Sequence, residues 1–336
     1  MPSDSKITRL TRRDLLKALP VAALLASCGR TRPYARGDFT VGARSAVGLY
    51  PAPTYDVDFA DVIFRGLKDF NLDVRDRSVL LKPNLVEYAP GTVINTHPLV
   101  VAGAATAFLR AGARQVVVGE APGHRRDIEY LLSVTGLSDH LRELRIRFVD
   151  LNHDDVRMVS LKSHFTGLDR MAFPVELLQA DVIVSLPKLK THHWAAMTAS
   201  MKNFFGVVPG AIYGWPKNIL HYHGIENSIL DLNATIRPHF TIVDAVVAME
   251  GDGPIMGTPR QTGFLAMGSD LVSVDATCAR IIGLDPAKIA YLSQASEFLG
   301  NMDEARIDQR GENPSRYRTR FEVLEQFRGL QLPGGG

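Results

Sequence analysis

From residue 46 to about residue 300, short aliphatic and β-branched runs alternate with segments whose apolar positions recur at helical spacing. The runs at 78–81, 115–119, 147–151, 181–186 (DVIVSL) and 240–248 (FTIVDAVVA) predict strands. They are apolar without strict alternation, the mark of strands covered on both faces. Residues 98–111, Ile128–Val134, 227–236, 270–282 and 286–299 predict helices, with Ile229, Leu232 and Ile236 sharing one face of the third. This order predicts an α/β fold, a mostly parallel sheet with helices on both faces. The chain shows no internal repeat.

In such a sheet the carboxyl ends of the strands share one edge, and ligands bind there. Four polar segments directly follow predicted strands: Lys82-Pro83-Asn84, Glu120-Ala121-Pro122-Gly123, PKLKTHH from Pro187 to His193, and Glu250-Gly251-Asp252-Gly253-Pro254. They are predicted to converge into one site at the carboxyl edge of the strands.

Composition narrows the chemistry. The 336 residues, 46% hydrophobic and 22% charged, allow a core of normal size. A net charge of +2 with scattered basic residues provides no general field for nucleic acid. Two cysteines, Cys28 and Cys278, exclude a disulfide scaffold and an iron–sulfur cluster on this chain. Cys278 reads as a small apolar residue on a helix. The chain has no Gly-x-Ser-x-Gly elbow, no His-Glu-x-x-His helix and no Gly-Lys-Ser/Thr phosphate loop. The Gly251–Pro254 turn lacks the spacing of a dinucleotide fingerprint and reads as a tight turn.

Lys82, Lys188, Lys190 and Lys202 fall in these segments or close after them. Ammonium groups gathered in a cleft bind phosphate or carboxylate. A desolvated lysine beside other cations also loses its proton readily and becomes a base or nucleophile. The plainer alternative for each is a surface lysine, and for each histidine a hydrogen-bonded structural role. Lys190, His192 and Glu250 are the predicted catalytic residues. Lys82, Asn84, Lys188, Lys202 and Asn203 are the predicted substrate or anion-binding residues. Asp244, inside an apolar strand, must pair with a cation or ligate a metal. His192, His221, His223 and Asp244 form a candidate metal set, a metal ion being one option for an otherwise unidentified cofactor. His97 is a helix cap or a site residue, and Asp275 a partner for Arg280. Trp194, Tyr213 and Trp215 form an aromatic wall or pack against the sheet edge.

The motifs KPN, NTHP at 95–98, GEAPG, PKLKTHH, MTASMKNFFG at 197–206 and MEGDGPIMG at 249–257 occur in this order. Together they resemble the domain of unknown function 362 family over about residues 46–300. The resemblance implies an α/β domain without an established activity. It favours His192, which completes a KTH pattern, and Asn203 beside Lys202. Many members carry a ferredoxin-like cysteine module. None occurs in these residues, so an electron-transfer role is not carried over. Pincer-nickel racemases also place lysine and histidines in a cleft, but no motif match takes that beyond analogy.

The amino terminus carries an address. Arg12 and Arg13 in TRRDLLK precede an apolar run at 18–27 that ends in Leu25-Ala26-Ser27-Cys28. This resembles a twin-arginine signal peptide with a lipobox. The predicted organisation is signal peptide over 1–28, tether over 29–45, α/β domain over 46–300 and C-terminal arm over 301–336, anchored by Phe321, Leu324 and Phe327. The predicted partners are the twin-arginine translocase, the membrane through lipid on Cys28, and a small anionic ligand. The predicted location is the periplasm or envelope exterior. The sequence thus predicts an exported enzyme with a Lys/His/carboxylate site. The alternative is a non-catalytic anion-binding lipoprotein serving a membrane partner.

Overall fold

The apolar runs form the middle of a ten-stranded sheet in a computed structural model that describes residues 32–123 and 127–333. Arg12, Arg13 and Cys28 lie outside the described residues. In chain order the strands are β1 (Ser45–Pro51), β2 (Ser78–Pro83), β3 (Gln115–Glu120), β4 (Arg147–Asp150), β5 (Val156–Ser160), β6 (Arg170–Pro174), β7 (Val182–Leu186), β8 (Lys188–His192), β9 (Ala196–Thr198), β10 (Phe240–Glu250), β11 (Thr258–Gly268) and β12 (Ile307–Gly311). The main sheet runs β12-β1-β11-β10-β7-β2-β3-β4, with β8 pairing β10 and β9 beside this path, while β5 and β6 form a separate hairpin sheet. From β10 to β4 all neighbours are parallel, and β11 pairs antiparallel with β10 and β1.

The helices used below are α1 (Phe59–Asp69), α2 (Pro98–Arg110), α3 (Ile225–Ile236) and α4 (Leu271–Ile281). Successive residues of a strand face opposite sides. Leu80 of β2 therefore joins one core with Ile229 and Leu232 of α3 and Val274 and Cys278 of α4. Its neighbours Val79 and Leu81 join the other, with Ile63 of α1 and Val100 and Phe108 of α2. Each fully buried side chain of this size contributes about 1.5–3 kcal/mol. Gly103 lets α2 lie against α1, since a Cβ there would run into Phe59. The α/β architecture with helices on both faces is as the apolar pattern predicts. Among the described residues no helix is long and apolar enough to cross a membrane.

Strand order reverses between β2 and β7: β3 and β4 extend one way from β2, β7 and β10 the other. The carboxyl ends of β2 and β7 flank that reversal, where a crevice opens in sheets of this kind.

Several expectations change. PKLKTHH does not merely follow a strand: after Pro187 the chain resumes as β8, pairing Lys188 with Asp244 and Lys190 with Met249 of β10. The helix predicted over 286–299 is broken into Pro286–Lys288 and Ala290–Ala295 by extended backbone at Ile289. The described part of the predicted tether is packed: Tyr34 stacks on Phe298 with ring centroids 4.0 Å apart. Its two aromatic residues, Tyr34 and Phe39, supply apolar area that an Arg/Pro/Gly composition conceals. The C-terminal segment contributes β12, parallel to β1, and buries Phe321, while Leu324 and Phe327 are half-buried.

Candidate functional site

The site is built on a charged floor. Lys82, near the end of β2, is fully buried. Its ammonium donates to Glu120 Oε2 at 2.7 Å, Asn203 Oδ1 at 3.0 Å and the Pro83 carbonyl at 2.7 Å. All three of its N–H groups are therefore used. Glu120, ending β3, also accepts from the Leu85 amide at 3.0 Å and the Ala121 amide at 2.9 Å. Burial pushes the Lys82 pKa down and the Glu120 pKa up, and each charge opposes the other's shift. A carboxylate receiving this many donors stays ionised. Gly206 is required beside the pair, because a Cβ there would strike Glu120 Oε1 and Lys82 Nζ.

Above this floor lies a cavity of about 240 Å³ lined by Lys190, Lys202, Lys217, His192, His193 and His221, with Glu120, Asn84, Asn203, Thr198 and Trp194. Lys190 is fully buried and, among the described residues, makes one hydrogen bond, to the Ile94 carbonyl at 2.8 Å. Burial holds its pKa well below the ordinary value, and the charges of Lys188 and Lys202 push the same way. Lys217, also buried, donates to the Ala121 and Phe205 carbonyls at 2.7 and 2.9 Å. Burial likewise depresses its pKa. Lys202 lies 3.9 Å from the Phe205 ring centroid, and burial followed by Lys82 brings its pKa to about 7. Among the described residues, none of these three lysines forms an ion pair with a carboxylate.

His192 is neutral and its tautomer follows from its partners. Nδ1 accepts from the Trp194 amide at 3.0 Å and the Ala195 amide at 3.2 Å, so the ring proton sits on Nε2. Burial, then the charge of Lys202, keeps the ring from protonating. The ring therefore offers a hydrogen bond and cannot serve as a proton acceptor. Two buried oxygens on residues that line the cavity, Asn84 Oδ1 and Thr198 Oγ1, have no hydrogen-bond partner among the described residues. A ligand would satisfy them, since buried polar atoms seldom stay unpaired.

Other predicted site residues lie elsewhere. Lys188 is no anion binder: its ammonium is spent on Asp244 at 2.5 Å, Tyr55 Oη at 2.7 Å and the Val247 carbonyl at 3.2 Å. Glu250 lies outside the cavity lining, where Oε2 accepts from the Glu322 amide at 3.0 Å and Oε1 faces Arg260. The predicted metal set does not assemble. Asp244 is paired with Lys188 and accepts from Tyr55 and the His97 amide, while His223 Nδ1 contacts the Thr166 carbonyl at 2.8 Å. His192 and His221 do share the cavity. Among the described residues, no group of three or more His, Cys, Asp or Glu side chains is arranged for a metal. Asn203 is a cavity residue whose amide is used to hold Lys82 and Ser185. His97 caps α2, with Nδ1 accepting from the Leu99 amide. Asp275 does not pair with Arg280; it accepts from the Ser200 and Met201 amides, and burial raises its pKa to about 7.

Residue reasoning placed Glu120 in a converging segment without a role, and missed Lys217. Glu120 had a usable signal, a carboxylate closing a run of three valines. Lys217 had none, because it enters through a left-handed turn at φ 68° remote from any strand.

The description of the domain of unknown function DUF362 matches residues 79–280, more than half of the chain. This chain belongs to the DUF362 family. The matched span of this DUF362 protein contains β2, β3, β7, β8 and β10, hence the floor and the cavity. It is 31% identical over 230 residues to the thylakoid-associated protein sll1697 of Synechocystis sp., covering 66% of this chain and 68% of that one. Among solved structures it is similar to the lactate racemase apoprotein from Thermoanaerobacterium thermosaccharolyticum, with a TM-score of 0.43 at 12% identity over 75% of this chain and 61% of that one. It is also similar to a Thermotoga maritima protein, with a TM-score of 0.39 at 14% identity over 68% and 59%. The DUF362 chain thus spans less than two thirds of either solved structure, and likeness at these scores carries nothing about its chemistry.

Proposed function

We propose that this protein is an enzyme that binds a small oxyanion at the carboxyl edge of its sheet and moves a proton at a carbon beside the substrate's carbonyl. The observation that carries this reading is Lys190, a fully buried amine that has, among the described residues, one hydrogen bond and no carboxylate partner, with a pKa held well below normal. Such an amine gives up its proton more readily than an ordinary lysine, and its neutral form offers a lone pair. It takes the substrate proton and becomes an ammonium, while the electron pair of the broken C–H bond moves onto the carbonyl oxygen. Neutral His192 supports that oxygen with its Nε2–H, a preorganised donor. Lys202 and Lys217 hold the anionic head, and its charge raises their affinity for protons.

The test is proton–deuterium exchange into pyruvate and phenylpyruvate, followed by NMR in heavy water. Wild-type protein exchanges the C–H next to the carbonyl, and Lys190→Met slows this at least ~100-fold, the scale of a lost general base. Binding without exchange, unchanged in Lys190→Met, would leave the anion-binding lipoprotein in place of the enzyme.

The amino-terminal address supports export by the twin-arginine route with a lipid anchor at Cys28. Cys28→Ala releases the protein from the membrane fraction, and replacing Arg12 and Arg13 with Lys retains it in the cytoplasm. A distribution unchanged in both variants rejects this reading.

A further inference from the structure

The cavity has two chemically different ends. Its inner end is cationic and buried: Lys190 and Lys217 are almost wholly enclosed, and His192 nearly so. Its mouth is apolar and open. Trp194 lines it while 58% exposed, flanked by the exposed Pro216 and the half-buried Ile255. Between them the wall is continued by Leu85, Val86 and Phe205. The indole of Trp194 is held in place edge-on, its centroid 4.5 Å from the ring of His193 and 5.2 Å from that of His221. An exposed tryptophan fixed at the rim of a pocket is informative where a scattered surface apolar residue is not. A simple inorganic anion would fill the inner end and leave this apolar rim wet.

We infer that the ligand is an amphiphilic oxyanion, with its charged head at Lys202 and Lys217 and an aromatic body against Trp194. This rests on the reading of the lysines as an oxyanion site and adds the substrate class. The aromatic body removes the exposed face of Trp194 and the rim side chains from water. It also sets direction: the head enters first, and the C–H beside the carbonyl follows it toward the Lys190 amine.

Isothermal titration of the full-length protein with two matched pairs tests this: propionate against 3-phenylpropionate, and inorganic phosphate against phenyl phosphate. In the pair with the correct head group, the aryl member binds at least tenfold tighter. Trp194→Ala reduces that advantage below threefold. Tyr222→Ala, an exposed aromatic outside the cavity lining, keeps it. The pair that binds identifies the head as carboxylate or phosphate. If the members of a binding pair have equal affinity, or the aryl advantage survives in Trp194→Ala, the amphiphile is rejected while the oxyanion site stands. If none of the four probes binds, the oxyanion site itself is rejected and the amphiphile with it.

Discussion

Lys188 and Lys190 stand two residues apart on the same strand, both enclosed, and their surroundings are opposite. Lys188 has each N–H engaged, one of them on the Asp244 carboxylate, which Tyr55 and the His97 amide also hold. Among the described residues, Lys190 meets a single carbonyl and faces a cavity shared with two more lysines that have no carboxylate partner. Burial lowers both pKa values, but Asp244 opposes the shift at Lys188, whereas neighbouring cations reinforce it at Lys190. A buried lysine is therefore not informative by itself. Whether its charge is completed inside the protein separates a structural ion pair from a reactive amine.

The sharpest way to break this comparison is to truncate each lysine in turn. Lys188→Met leaves Asp244 buried without its cation and costs about 3–5 kcal/mol in urea unfolding. Lys190→Met removes a desolvated amine and one hydrogen bond, and costs less than about 1.5 kcal/mol. Equal losses would show that Lys190 has a counter-charge, which would end the distinction.

A smaller effect comes from pH. Lys202 is a cation below its pKa of about 7 and loses its charge as pH rises through it. Oxyanion affinity, measured by titration calorimetry, therefore falls as pH climbs from 6 to 8, and binding above pH 7 takes up a proton. The drop approaches tenfold per pH unit once the group is mostly neutral, equivalent to about 1.4 kcal/mol. Lys202→Arg, whose guanidinium stays charged, flattens that part of the profile. A wild-type profile flat over this range would remove Lys202 from the anion site.

The smallest effect is expected at Glu250. Its carboxylate caps the Glu322 amide and faces the half-exposed Arg260. Glu250→Gln keeps an acceptor for that amide and lowers stability by about 1 kcal/mol or less. Exchange activity stays at the wild-type level, and a large loss would return Glu250 to the site.

Much of the architecture was legible in the chain. Continuous apolar strands separated by helical periods imply a sheet covered on both sides, because period and burial are local properties of the residues. The strands that pair β1 with β11 and β12 were not legible. The outer half of β11 is exposed and β12 is short and mostly polar, so neither carries a strong local apolar signal. At the site, the convergence of Lys82, Glu120, Lys190 and His192 followed from placing polar segments at the ends of parallel strands. Their roles did not follow. Glu120 and Glu250 both close an apolar strand, yet one supports the cavity and the other caps a distant amide.

The sequence by itself determined the α/β class, the edge of the sheet where chemistry gathers and the residue types found there. Each follows from the order of apolar and polar positions along one chain. Tertiary structure alone decided which lysine meets a carboxylate and that the metal set stays apart. Those outcomes depend on atoms within about 3 Å contributed by segments tens to hundreds of residues away. Asp244 and Tyr55 are brought together from 189 positions apart, and only folding shows that they complete Lys188 and leave Lys190 open.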